Sequence, residues 1–169
     1  SGEDTDLYPN SIWTDLLSNH TQNQRYTINF RGGSEKTKFF VSGAFYDEKG
    51  IFKSNPLEDY DANIGLKRYN LRSNVDMDIT KTKLSVDMSG QYKTQNNPGN
   101  SSDQIWKHIV LFPTHLVPFT WSDGTAAAIE SDADGRYNPY TLLNYSGYSK
   151  TWSAALQTKA TLKQKLDFI

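Results

Sequence analysis

From Arg68 to Ile79 the chain alternates with a period of two. Tyr69, Leu71, Val75, Met77 and Ile79 hold the odd positions, with Ser73 the one polar member, and Arg68, Asn70, Arg72, Asn74, Asp76 and Asp78 hold the even ones. Successive side chains of a β-strand point to opposite faces, so this pattern predicts a strand with one apolar and one polar face. The pattern returns from Lys83 to Gln95. Leu84, Val86, Met88, Gly90, Tyr92 and Thr94 share one face, and Lys83, Ser85, Asp87, Ser89, Gln91 and Lys93 share the other. The connection Thr80-Lys81-Thr82 has room only for a tight hairpin. An earlier hairpin reads the same way. Gln24, Tyr26, Ile28 and Phe30 alternate with Arg25, Thr27, Asn29 and Arg31, and Gly32 to Lys36 makes the turn. The return strand, from Thr37 to Asp47, carries Phe39, Val41, Gly43 and Phe45 on one face and the mixed set Phe40, Ser42, Ala44 and Tyr46 on the other. A fifth strand begins near Ser149, with Trp152, Ala154, Leu156, Thr158, Ala160 and Leu162 on one face.

These strands run to about ten residues or more, against ~5–6 in ordinary soluble domains. A tilted strand crossing a bilayer needs ~9–11. A barrel wall alternates apolar-outward with polar-inward, which would put Arg68, Arg72, Asp76, Asp78 and Asp87 toward a wet lumen. A soluble β-sandwich with its charges on an outer face would show the same alternation. Connection lengths favour the barrel. Residues 32–36 and 80–82 are short, 49–65 is long and 96–150 is very long, and barrels of the outer membrane have short turns on one side and long loops on the other. The strands at 24–32 and 67–79 would then run toward the short-turn side, and those at 37–47 and 83–95 away from it. The expected fold class is all-β, made of antiparallel hairpins, part of a large transmembrane β-barrel with a long, partly helical outer loop. The alternative is a soluble carbohydrate-binding or adhesion module.

The long connection has structure of its own. Ser101-Ser102-Asp103 predicts a cap for a helix from Gln104 to about Leu111, with Ile105, Ile109 and Phe112 on one side. Pro113 and Pro118 break it. Trp121-Ser122-Asp123-Gly124 and Asp132-Ala133-Asp134-Gly135 read as turns. Asn138 to Asn144 predicts a short helical turn with Pro139 at its first position.

Composition narrows the classes. Among 169 residues, 18 Lys plus Arg face 19 Asp plus Glu, a net charge of -1. That balance, with a pI near 6.3, gives no reason to expect a nucleic-acid partner. Hydrophobic residues make up only 36%, yet aromatics reach 13%, which speaks against simple disorder. No apolar run approaches the ~20 residues of a membrane helix, a test to which a β-barrel is blind. There is no cysteine, so disulfides and thiol chemistry are excluded. The Ser1-Gly2 start and the alternating Leu166-to-Ile169 ending both read as cuts in a longer protein, so residues 1–169 are expected to form a single partial domain.

Candidate chemistry is sparse. No nucleophile elbow, P-loop, H-E-x-x-H or G-x-G-x-x-G motif occurs. His108 and His115 would make a metal site only if the loop brought them together; exposed loop histidines are the simpler reading. Asp132-Ala133-Asp134-Gly135 resembles the start of a calcium loop, but position 143, where the bidentate acid belongs, is Leu. No catalytic residue, metal or cofactor is expected. Tyr26, Tyr46, Tyr69, Tyr92 and Trp152 lie near strand ends, where interfacial aromatic girdles form. Trp106, Trp121 and Tyr140, in the long loop, are the candidate ligand-stacking residues.

An ordered series of segments resembles the early barrel of SusC/RagA-type TonB-dependent transporters. It comprises Gly32 to Gly43, Arg68 to Asp76, Pro98-Gly99-Asn100-Ser101-Ser102-Asp103, Asn138-Pro139-Tyr140 and Leu162 to Ile169, with Trp13-Thr14-Asp15 resembling the W-x-D element ahead of the first hairpin. The resemblance implies an importer of glycans or oligopeptides in the outer membrane of Gram-negative bacteria, in which a plug fills a barrel of about 22 strands. It implies a SusD-like surface lipoprotein over the barrel, a TonB complex reached through the plug, and contact with outer-membrane lipid. This chain would begin in the first outer loop and hold roughly strands two to six.

Overall fold

The computed structural model describes residues 4–53, 60–128 and 137–166. Five strands form one sheet in the order β1-β2-β3-β4-β5, so every strand pairs with its sequence neighbour. They are β1 (Asn23–Gly33), β2 (Thr37–Lys49), β3 (Gly65–Ile79), β4 (Thr82–Pro98) and β5 (Tyr148–Gln164). The predicted all-β, antiparallel class holds, and each predicted strand is present, the first four longer than expected by two to four residues. A 3-10 helix at Trp13–Leu16, α1 (Ser102–Leu111) and α2 (Pro139–Asn144) complete the elements. The chain divides into two compact units: Asn23–Glu48, Leu66–Gln95 and Thr151–Ile169 make a sheet unit, and Ser1–Gln22, Lys49–Gly65 and Asn96–Lys150 make a loop unit.

In the sheet unit, register follows the alternation. Tyr26 opposes Phe45, Ile28 opposes Gly43 and Phe30 opposes Val41 on one face, while Arg25–Tyr46, Thr27–Ala44 and Asn29–Ser42 pair on the other. Side-chain hydrogen bonds fix the β3–β4 hairpin equally well. Gln91 Nε2 donates to Asn70 Oδ1 at 3.0 Å, Asn74 Nδ2 to Asp87 Oδ1, and Ser85 Oγ to Asp76 Oδ1. As one partner's number rises, the other's falls by the same amount, which is the mark of an unslipped antiparallel pair. The hairpin closes through two residues, Thr80 and Lys81, and Thr80 has φ of 54°. Positive φ suits the right-handed strand twist at a two-residue turn, although a β-branched side chain resists it.

In the loop unit, three segments remote in sequence share one core. Trp13 and Leu16 come from the first, Phe52 from the second, and Ile105, Ile109, Phe112, Val117 and Leu143 from the third. The Trp13 ring meets Phe112 and Phe119 edge-on at 5.5 and 5.1 Å. Backbone bonds stitch the segments: Lys53 N donates to Leu16 O at 2.7 Å, Ser18 N to Ile51 O at 2.6 Å, and Ser11 N to Thr114 O at 2.9 Å. The helices are capped as their sequences predict, although α1 begins at Ser102, two residues ahead of the expected Gln104. Ser101 Oγ caps α1 by accepting from Gln104 N, and Asn138 Oδ1 caps α2 by accepting from Tyr140 N at 2.9 Å, with Pro139 in the first turn. Gly99 is required where it stands, because a Cβ there would lie 1.8 Å from Ser146 O.

Candidate functional site

The sheet unit presents two surfaces of opposite character. On its apolar face the strands carry a continuous row of rings. Tyr26 of β1 stacks on Phe45 of β2 at 6.4 Å between centroids, Phe45 meets Tyr69 of β3 at 4.9 Å, Tyr69 meets Tyr92 of β4 at 6.3 Å, and Tyr92 meets Trp152 of β5 at 6.4 Å. One ring from each strand sits at one level, because the register brings these positions side by side. Among the described residues nothing packs over the row: Tyr26 is 61% exposed and Trp152 70%. Tyr46 was expected in such a girdle and is not in it. It follows Phe45 by one residue and so points to the other face, where Arg68 Cζ lies 5.2 Å from its ring centre and its hydroxyl donates to Glu48 Oε2. Phe45 takes its place.

Below the row the same face stays largely apolar toward the short turns, with Ser73, Thr82 and Thr158 among its polar members. Tyr69 stands ten residues from Ile79, Tyr92 ten from Thr82 and Trp152 ten from Leu162. Ten residues at ~3.3 Å each cover about 33 Å of strand; at the ~40° tilt that strands take in outer-membrane barrels, such a length spans about 25 Å, the height of those barrels' apolar band. Within that band Ile28, Phe30, Leu71 and Leu156 are all more than half exposed. A soluble sheet would bury such a face against a second layer, and the described residues of this unit supply none.

The opposite face is a linked polar surface. Arg72 Nε donates to Asn74 Oδ1 at 3.0 Å, and Asn74 passes a hydrogen bond on to Asp87. Asp76 accepts from Ser85, and Arg68 lies over Tyr46. A shallow hollow of about 380 Å³ opens here, lined by Arg72, Asn74, Asp87, Ser89, Gln157 and Lys159 among others. Arg68, Arg72, Asp76 and Asp87 thus belong to one surface of mixed charge. Asp78, at the turnward end of β3, donates its backbone N–H to Lys36 O at 2.7 Å.

The loop residues separate. Tyr140 is 6% exposed, its ring held between Phe119 at 5.6 Å and Tyr145 at 6.3 Å, so its face serves the core. Trp121 packs half-buried against that core. Trp106 is 47% exposed on the outer side of α1, where Val110, one turn on, is 65% exposed. His108, expected as an exposed loop histidine, is instead buried on the inner side of α1, with Nδ1 2.7 Å from Gln104 O. His115 is exposed. The Asp132-Ala133-Asp134-Gly135 turn lies outside the described residues. The turn at Trp121 is present. Thr120 bridges Ala126, Gly124 takes φ of 84°, and Asp123 Oδ1 accepts from Thr125 N at 2.8 Å and Thr125 Oγ1 at 2.6 Å. Those two donors, the hydroxyl foremost, hold the Asp123 carboxyl below the usual aspartate range.

No family model matches the chain. Two curated relatives do. TonB-dependent receptor P3 of Formosa agariphila is 27% identical over 145 residues, covering 81% of this chain. TonB-dependent receptor P26 of the same organism is 27% identical over 95 residues, covering 56%. These alignments span 13% and 9% of the relatives' own lengths. Over as much as 81% of its length, the chain is distantly similar to TonB-dependent receptors.

Proposed function

We propose that the five strands are a stretch of the wall of an outer-membrane β-barrel importer of the TonB-dependent kind, closed by further strands. The observation that carries this reading is the uncovered ring row Tyr26–Phe45–Tyr69–Tyr92–Trp152, set above a largely apolar face and backed by a polar surface. Aromatic rings favour the bilayer boundary, where an apolar body and a polar edge are both satisfied. The apolar face would meet lipid, and Arg68, Arg72, Asp76, Asp78 and Asp87 would line the lumen. Residues 49–65 and 96–150 would then lie on the outer side.

The SusC/RagA resemblance extends this to uptake of a glycan or oligopeptide in a Gram-negative bacterium. A SusD-like lipoprotein would sit at the loops, and a TonB complex would engage a plug. The work is binding and gated passage, with no covalent step. Of the three loop aromatics, Trp106 has the most ring surface open to a ligand, Trp121 has less, and Tyr140 would act by holding the loop core. The test uses the full-length parent in its own host. Trp106→Ala is expected to lower uptake of the transported nutrient several-fold with surface abundance unchanged, and Tyr140→Ala to lower abundance itself. Undiminished uptake by the Trp106 variant would remove Trp106 from the ligand path.

A further inference from the structure

The short-turn end of the sheet carries an excess of positive charge at the level where the apolar face stops. Lys36 lies in the β1–β2 turn, Lys81 in the β3–β4 turn and Lys165 just beyond β5. The backbone draws these points into one rim. Asp78 N donates to Lys36 O at 2.7 Å, joining the first turn to the end of β3, and Lys165 N donates to Lys81 O at 2.9 Å, joining the end of β5 to the second turn. All three lysines are exposed. Lys83, Lys163 and Asp78 stand on the polar face of their strands and are not counted with them. Among the described residues of these connections the one carboxylate is Glu35, against three lysines. Next to the charges the apolar face ends in Ile79 and Leu162, 58% and 67% exposed.

We infer that this rim binds the phosphate-bearing headgroups of anionic phospholipids in the leaflet on the short-turn side. The inference rests on the barrel-wall reading, since it needs Ile79 and Leu162 to meet acyl chains. Lysine suits the place. Its apolar stem can lie along the last hydrophobic positions while the ammonium reaches out to the phosphate layer. Near an anionic surface each lysine adds about 1 kcal/mol of attraction, roughly a fivefold preference. Lys36, Lys81 and Lys165 belong to different connections, so a headgroup lying between two of them is held from both sides.

The test places a tryptophan at the rim, Leu162→Trp, in the full-length protein reconstituted in phosphatidylcholine vesicles. Part of the lipid is then replaced by brominated phosphatidylglycerol or by brominated phosphatidylcholine, and the quenching added by the new tryptophan is read. Phosphatidylglycerol is expected to quench at a lower lipid fraction. Its advantage should fall about fivefold for each of Lys36→Gln, Lys81→Gln and Lys165→Gln, persist in the matching Lys→Arg variants, and fade in molar salt, where charge interactions reach only ~3 Å. If both lipids quench alike and neither salt nor substitution matters, the headgroup inference is overturned and the barrel wall stands. If neither lipid quenches, the wall reading fails with it. The salt arm, run on the reporter with its lysines intact, gives the answer even if a glutamine variant does not fold.

Discussion

Phe45 and Tyr69 meet across β2 and β3 with ring centroids 4.9 Å apart, the closest approach in the five-ring row. Aromatic pairs at this spacing are worth about 0.5–1.5 kcal/mol beyond their buried area. A double-mutant cycle with Phe45→Leu and Tyr69→Leu in the full-length protein, followed by urea unfolding from vesicles, should return a coupling energy in that range. Strictly additive losses would mean that the rings merely share a level without supporting one another.

Leu156 and Gln157 are chain neighbours on opposite faces of β5, near the middle of the ten-residue band below Trp152. Arginine on a lipid-facing mid-band position costs about 2–4 kcal/mol, whereas a lumenal position tolerates it. Leu156→Arg should therefore slow or abolish folding into vesicles, and Gln157→Arg should leave it nearly unchanged. Equal behaviour of the two variants would contradict the assignment of faces.

Asn138 is fully buried and serves two masters. Its Oδ1 caps α2 and its Nδ2 donates to Ala127 O at 2.6 Å. Asn138→Ala removes the cap and leaves a buried carbonyl without its donor, a loss of about 2–4 kcal/mol. Hydrogen exchange should show residues 139–144 opening far more often in the variant. Asn138→Asp keeps the capping oxygen and should protect α2 better than alanine does.

Asp123 gives the turn at residues 121–125 a defined response to acid. Its folded-state pKa is depressed by the Thr125 hydroxyl and then the Thr125 amide. The carboxylate's contribution is thus present in full above the unfolded-state value and is lost as pH falls through the lower, folded-state one. The turn should keep its shape at neutral and mildly acid pH and open only below the usual aspartate range. The Thr125 amide resonance would report a midpoint lower than that of an ordinary aspartate. Thr125→Val, which deletes the main donor, should move the midpoint back up; an unmoved midpoint would refute the role of that hydroxyl.

Strands and caps were legible in the sequence because each rests on near neighbours. Tyr69 to Ile79 declares its faces by alternation, and Ser101 and Asn138 declare the helix starts they cap. The loop core was not legible. Trp13 packs on Phe112 and Phe119, about a hundred positions away, and no periodicity announces such a meeting. Helix α1 shows the same limit. The spacing of Ile105, Ile109 and Phe112 marked one side of it, and all three are buried, but nothing local said that His108 turns inward with them while Trp106 and Val110 stay exposed. Tyr46 misled for another reason. Beside Phe45, either ring could have joined the row, and only the pairing of Tyr26 with Phe45 decides between them.

The loop unit's dependence on distant partners sets a timetable for biogenesis. Ser11 Oγ donates to Val117 O across 106 positions, and Trp13 Nε1 reaches Pro113 O across 100. Hairpins such as β3–β4 can zip as soon as both arms have emerged, since closing a tight turn takes microseconds and little entropy. The strap at residues 11–17 must wait, its tryptophan unhoused, until the segment around residues 112–119 exists to receive it. During that interval the chain carries a bare aromatic side chain well before the partner that will shelter it, which makes the stretch at Trp13 the part of the loop unit most open to misassociation until residues 112–119 arrive.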